Sequence, residues 1–168
     1  DNSAEEKQHN STISFDQSFQ EYGQTNGVAS VLLANEHFVQ QYQPYVYSWI
    51  TGFACGEMTD VSRVSKTALA NANVTSHHIG LLEVSALAQP ILLAHESAGL
   101  MNVYDSTCAN EEKLTTAISA ARSITGEGLG FSQVLGLLRT AMSLQQRYIP
   151  AISHWQQPLA DSVVAWQN

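Results

Sequence analysis

A glycine-spaced turn that runs into an apolar helix limits most strongly what this chain can fold into. In "ITGEGLGFSQVLGLLRT", residues 124–140, glycines at alternate positions 126, 128 and 130 flank the acid Glu127 and precede the apolar stretch. At helical spacing the apolar side chains fall on both sides: Phe131, Val134, Leu135, Leu138 and Met142 on one, Leu137, Ala141 and Leu144 on the other. A helix with apolar side chains on both sides is typically buried between two layers of secondary structure. The sequence therefore predicts a buried helix over about 130–146, sandwiched between sheets, whose small residues at 130, 132 and 136 let other backbones approach.

Short apolar runs alternate with helical patterns along the rest of the chain. Strands are predicted over 27–36, 45–56, 78–86 and 114–121. Helices are predicted over 61–73, capped by Asp60 or Thr59, and from Pro90 to about Met101. Residues 105–113 are expected to form a loop, and 148–155 a loop or strand. This alternation favours an α/β fold with a mixed, mostly parallel sheet.

The composition excludes several classes of partner. Seven Lys and Arg against 15 Asp and Glu give a net charge of -8, and Arg63 and Lys66 are the only close basic pair, so binding to nucleic acid or to an anionic membrane is not expected. No run is long and apolar enough for a membrane span. Cys55 and Cys108 match no metal spacing, so both are predicted to be free, buried thiols of a cytoplasmic protein.

The chain is expected to be a piece of a longer protein, because it begins at Asp1 and not at Met. Residues 1–14 are predicted to be a flexible lead-in, since 1–12 are polar and lack apolar periodicity. Residues 15–168 are predicted to form one domain.

The apolar helix and the turn before it resemble a ketosynthase segment. In "SITGEGLGFSQVLGLLRTAMSLQQRYIP" the pattern is similar to a Lys-Ser-Asn-Ile-Gly-His run that opens a buried helix ending in Leu-Gln, followed by Ile-Pro. Arg122 falls at the lysine, Gly126 at the glycine and Glu127 at the histidine of that pattern.

Two upstream segments extend the resemblance in the same order. "LLEVSALAQPI" is similar to the family's Glu-Ala-His-Gly-Thr-Gly-Thr and Asp-Pro-Ile: Glu83 and Pro90 match, Ser85 takes the histidine's place, and the loop between is several residues shorter. "FDQSFQEYGQTNGVASVLL" resembles the Phe-Asp and Glu-Gly-Ala-Gly elements at Phe15, Asp16 and Gly27.

The resemblance implies that residues 15–168 form the carboxy-terminal half of a thiolase-fold ketosynthase domain in a degenerate form. It is most similar to the ketosynthase-like and chain-length-factor-like domains of bacterial polyunsaturated fatty acid synthases, including the subunit that joins such a domain to an acyltransferase. The implied partners are the rest of the synthase chain, with an amino-terminal ketosynthase-like half, acyltransferase and acyl carrier domains, and a second copy in a dimer. No cofactor or metal is implied. The family's nucleophilic cysteine belongs to the other half.

The positions that match the family's site have lost its chemistry. Condensation uses two imidazoles, which exchange protons near neutral pH and stabilise an oxyanion. A serine at Ser85 has no comparable basicity, and an ionised Glu127 would repel an oxyanion. No catalytic residue is therefore expected among Ser85, Arg122 and Glu127.

Three functions follow as alternatives. The first is a non-catalytic structural or interaction domain of a polyunsaturated fatty acid or polyketide synthase. The second is half of an active condensing enzyme completed by another chain or segment. The third, a small α/β hydrolase or ligand-binding domain, lacks the Gly-x-Ser-x-Gly elbow expected of a hydrolase.

The remaining candidate residues have simpler interpretations. The glycine run does not match a phosphate-binding motif. His77 and His78 are adjacent on a predicted strand entry and would point to opposite faces, so joint metal binding is not expected. His95 and His154 are predicted to be packing or surface residues. Glu83, on an otherwise apolar strand, is expected to make a structural hydrogen bond to the following turn.

Overall fold

The structure, a computed structural model, describes residues 23–85, 89–104 and 116–151. Its regular elements, in chain order, are α1 (Glu36–Tyr42), a 3-10 helix (Met58–Asp60), α2 (Val61–Asn71), a 3-10 helix (Ser76–His78), β1 (Leu81–Glu83), α3 (Pro90–Tyr104), β2 (Ala117–Ser119), α4 (Arg122–Thr125) and α5 (Gly130–Gln146). The lead-in, the loop at 105–113, Cys108 and His154 lie outside the described residues.

The three predicted helices are confirmed as α2, α3 and α5, with small shifts at their ends. Helix α3 begins at Pro90, where a fixed φ and a missing N–H suit the first helical position. Before α2 the expected cap does not form, because the Asp60 carboxylate pairs with Arg63 one turn later. Thr59 lies within the preceding 3-10 helix.

The two predicted strands at 78–86 and 114–121 form a short parallel pair. Strand β1 pairs with β2 in the register Leu81↔Ala117, Leu82↔Ile118 and Glu83↔Ser119, and α3 connects them in the chain. This pairing confirms the parallel α/β unit, although both strands are shorter than predicted. At the start of the first run the chain forms the 3-10 helix Ser76–His78 instead of a strand.

The core lies where β1, β2, α2 and α3 meet. Its buried apolar residues and the half-buried ones packed against them are Val84, Leu93, Leu100, Ala120, Val61, Leu82, Tyr104 and Ile118. Helices α2 and α3 approach closely at Gly99, where a Cβ would lie 2.6 Å from the Cβ of Val61.

The predicted strands over 27–36 and 45–56 are wrong for the described structure. Residues 27–35 and 45–56 lie in no strand, and the isolated bridge at Gln24 falls outside both segments. Residues from Glu36 onward form α1, capped by the Asn35 side chain, which accepts from the Phe38 N–H at 2.8 Å. A strand needs a neighbour for its backbone groups, and the described residues offer none here. Their apolar side chains are accordingly exposed: Val28 by 97% and Leu32 by 95%.

Helix α5 is half-buried and not enclosed on all sides, which corrects the predicted burial. Only Ser132 of this helix is fully buried, whereas Leu144 is 64% exposed and Leu137 and Met142 are also exposed. The helix contacts β1 on one side, and within the described part of the chain no second sheet covers the other. The expected sandwich between sheets is therefore absent from the described part of this chain.

Candidate functional site

The carboxyl ends of β1 and β2 bring the predicted site positions together. Because the strands are parallel and in register, the residues after Glu83 and those after Ser119 emerge at the same edge of the sheet. This edge is where open α/β sheets usually bind ligands. It places Ser85 beside Arg122, which begins α4.

Arg122 links the three positions that the sequence matched to the family's site. Its side chain is only 6% exposed, and its Nη1 donates to the Ser85 carbonyl oxygen at 2.7 Å. Its Nε lies 2.9 Å from the Glu127 Oε2 but does not point at that oxygen, so the pair is a close ionic contact and not an aligned hydrogen bond. A buried guanidinium needs such a partner, because an unpaired buried charge is strongly destabilising.

The backbone of Glu127 is held by residues at the start of the described chain. Its N–H donates to the Gly23 carbonyl at 2.9 Å, and its carbonyl accepts from the Thr25 N–H at 3.0 Å. The carboxylate Oε1 also accepts from the Leu129 N–H at 2.7 Å. Both the backbone and the side chain of Glu127 are therefore held, and one of its two carboxylate oxygens is hydrogen-bonded within the same turn.

The three glycines of the run at 126, 128 and 130 differ in how much room they leave for a side chain. Gly126 has φ +78°, and a Cβ on it would lie 2.3 Å from the Gly23 carbonyl oxygen. A Cβ on Gly128 would lie 2.7 Å from the Phe131 ring, whereas Gly130 faces open space. The predicted close approach of another backbone is therefore wrong at Gly130; the close approach occurs at Gly126, to the segment that holds Glu127.

Ser85 is held by its backbone. The residue is exposed, its N–H donates to the Glu96 Oε1 of α3 at 2.8 Å, and its carbonyl accepts from Arg122. These contacts fix the backbone of Ser85. None of the contacts described places a base beside its hydroxyl.

Glu83 lies at the end of β1, and its side chain is only 9% exposed. It accepts from the Ala121 N–H, so the predicted structural hydrogen bond exists, but its donor follows the neighbouring strand and not the turn after β1. Burial raises the pKa of the Glu83 carboxyl, against the opposing effects of the Ala121 N–H, the Arg139 charge and the nearby Ser119 hydroxyl. That hydroxyl makes no hydrogen bond of good geometry, so its effect is the weakest.

Arg139 of α5 is a site residue that sequence reasoning missed. Its Nε lies 3.9 Å from the Glu83 Oε2, and its side chain is 15% exposed. Gly136, one turn earlier, allows this approach, since a Cβ there would lie 3.5 Å from the Glu83 Cγ. The sequence did contain an indication: a single cation that interrupts an apolar helix needs a buried partner.

The other candidate residues form no site in the described structure. The Nδ1 of His78 lies 2.9 Å from the Thr75 Oγ1 and caps the 3-10 helix that also contains His77. His95 is exposed, as predicted for a surface residue. Cys55 is free but exposed, which corrects its predicted burial: it lies in the unpaired segment. Among the described residues, no three His, Cys, Asp or Glu side chains cluster to hold a metal ion.

None of the helices in the described ranges is long and apolar enough to span a bilayer.

Comparison with solved structures finds the same fold in ketosynthases. The chain matches the ishigamide ketosynthase/chain length factor with a TM-score of 0.75 and 17% identity, over 89% of this chain and 38% of that one. A type II PKS ketosynthase bound to the hexaketide, in complex with its acyl-carrier protein, matches with a TM-score of 0.75 and 16% identity, over 90% of this chain and 38% of that one. The ketosynthase of module 1 of the bacillaene synthase from Bacillus amyloliquefaciens FZB42 matches with a TM-score of 0.75 and 14% identity, over 90% of this chain and 29% of that one.

The chain thus spans well under half the length of these structures, and at such identities the likeness concerns the fold. A search of curated proteins finds no significant match. The profile of the family described as "Beta-ketoacyl synthase, C-terminal domain" matches residues 54–156, which is more than half of the chain and includes β1, β2, α5 and the edge where Ser85, Arg122 and Glu127 meet. The chain therefore belongs to the β-ketoacyl synthase family and contains its carboxy-terminal domain.

Proposed function

We propose that this chain is a non-catalytic ketosynthase-like domain with a structural or interaction role in a polyunsaturated fatty acid or polyketide synthase. Residues 15–168 would form the carboxy-terminal half-domain, preceded by a flexible lead-in at 1–14. The family membership leaves the alternative of a small α/β hydrolase or ligand-binding domain without support.

The observation that carries this proposal is the ionic contact between Arg122 and Glu127. The sequence resemblance places a lysine and a histidine at these positions. Here the cation is buried and lies 2.9 Å from a carboxylate, and that carboxylate is also tied to the Leu129 N–H. A carboxylate engaged in this way supplies neither a proton donor nor a positive potential for a developing oxyanion.

The second histidine position supports the same interpretation. Ser85 is exposed, and its described contacts are made by its backbone N–H and carbonyl. A serine hydroxyl can donate a hydrogen bond, but it does not exchange a proton near neutral pH as an imidazole does. Neither position therefore retains the acid–base chemistry that decarboxylation of a malonyl unit requires.

The origin in a polyunsaturated fatty acid synthase rests on the sequence resemblance, which also suggests the partners. We place the domain in the cytoplasm, next to an amino-terminal ketosynthase-like half, an acyltransferase and acyl carrier domains, with dimerisation through the ketosynthase fold. The exposed side of α5 and the exposed apolar residues of the segments 27–35 and 45–56, such as Leu32 and Trp49, support burial against such neighbours.

Product formation by the full-length synthase tests the proposal. Ser85→Ala removes only a hydroxyl, because the described contacts of Ser85 are made by its backbone, so the fold should be kept. The expected result is an unchanged product yield, whereas replacing the nucleophilic cysteine of an active ketosynthase in the same synthase abolishes it. Loss of product in a folded Ser85→Ala protein would overturn the proposal.

One observation favours the second candidate, half of an active condensing enzyme completed by another segment. The parallel pair still gathers Ser85, Arg122 and Glu127 at one edge, so the scaffold of a site is retained. The same assay separates the candidates, since an active half would lose turnover when Ser85 or Glu127 is changed.

A further inference from the structure

We infer that Glu127 is a built-in carboxylate ligand of Arg122, and that the pair acts as a latch that fixes the turn 126–129 against the carboxyl ends of β1 and β2. This inference goes beyond the proposed function, because it concerns what the substituted residues do and holds whether or not condensation is lost.

The first component of the latch is the anion requirement of Arg122. The residue is 5% exposed, and Nη1 is already engaged by the Ser85 carbonyl, a neutral acceptor. The positive charge still needs a counter-charge in this buried place. Glu127 supplies it at 2.9 Å, from a side chain that is 27% exposed and therefore reachable from solvent.

The second component is the unusual backbone of Leu129. This residue has φ +53° and ψ -122°, a conformation that costs free energy for any residue with a Cβ. The residue is 79% exposed, so burial of the leucine does not compensate for the cost. The 2.7 Å hydrogen bond from its N–H to the Glu127 Oε1 instead stabilises this conformation.

The two components share one carboxylate. Oε2 faces the guanidinium and Oε1 accepts from Leu129, so the buried cation orients the group that holds the strained turn. Loss of the carboxylate would both release Leu129 and remove the ionic partner that Glu127 gives Arg122. A small carboxylate from solution has the right chemistry to take the vacated place.

Amide hydrogen exchange on the full chain tests the latch. In Glu127→Ala the Leu129 amide should exchange about tenfold faster, the change expected for loss of one charge-assisted hydrogen bond. Added sodium acetate should restore much of the protection, and sodium chloride at equal ionic strength should not. Glu57→Ala is the matched control, because Glu57 is an exposed acid outside this turn and should leave the exchange of Leu129 unchanged.

A second variant keeps the test valid if Glu127→Ala does not fold. Glu127→Gln retains an oxygen that can accept from Leu129 but lacks the charge, so exchange should rise less than in Glu127→Ala and acetate should have no effect. Wild-type exchange rates in both variants, or equal rescue of Glu127→Ala by chloride and acetate, would overturn the inference.

Discussion

Two charged side chains with little exposure, Glu83 at the end of β1 and Arg122 at the start of α4, are compensated in different ways. Arg122 has a carboxylate at 2.9 Å, whereas Glu83 has a backbone N–H and only a distant cation at 3.9 Å. Because these partners stabilise the charged form of Glu83 less than burial disfavours it, desolvation dominates and raises the pKa of Glu83.

Glu83 should therefore give the protein a specific pH dependence. A raised folded-state pKa means that the stability contributed by protonated Glu83 is fully present below the ordinary pKa of 4.5 and is lost as the pH rises through the raised value. Relative to Glu83→Gln, the wild type should therefore lose unfolding free energy as the pH rises from 4 to 7. Urea denaturation at several pH values measures this difference. Glu57→Gln should show no such trend, and a constant difference for Glu83→Gln would contradict the argument.

The glycine turn gives a second prediction, with a control four residues away. Gly126→Ala must adopt φ +78° and place a Cβ 2.3 Å from the Gly23 carbonyl oxygen, so it should cost about 2 kcal/mol or more. Gly130→Ala meets nothing within 4 Å at the start of α5 and should be neutral or stabilising by up to about 1 kcal/mol. Equal effects in urea denaturation would show that the segment at 23–25 does not pack on this turn.

Helices were more predictable than strands because a helix satisfies its backbone groups within itself. The apolar spacing of α2 and α5 and Pro90 at the start of α3 determined these helices locally. A strand depends on a partner, so the apolar runs at 27–36 and 45–56 predicted strands that do not form among the described residues. The site positions Ser85, Arg122 and Glu127 were predicted from the family resemblance, whereas the Glu83–Arg139 pair depends on the packing of α5 on β1 and was missed.

Two glycines inside helices test this packing. Gly99→Ala would place its Cβ 2.6 Å from the Val61 Cβ, so it should separate α2 from α3 and cost about 1–3 kcal/mol. Gly136→Ala makes an ordinary 3.5 Å contact with Glu83 and should gain about 0.5–1 kcal/mol from helix propensity. Thermal unfolding of the two variants should therefore shift in opposite directions. A stabilised Gly99→Ala protein would mean that the two helices are not in close contact.

At the scale of the whole molecule, the described chain exposes many large apolar side chains. Many of these lie in the segments 27–35 and 45–56 and in α5, among them Leu32, Trp49, Phe53 and Leu144. Isolated apolar residues on a surface are normal, but several along the same segments indicate a contact surface.

The most direct test is the release of CO2 from a malonyl substrate by this domain completed with the amino-terminal ketosynthase-like half that we propose as its partner. The paired Arg122 and Glu127, together with Ser85, predict a rate equal to the uncatalysed background and unchanged by Ser85→Ala. A rate above background that falls in folded Ser85→Ala protein would contradict the account.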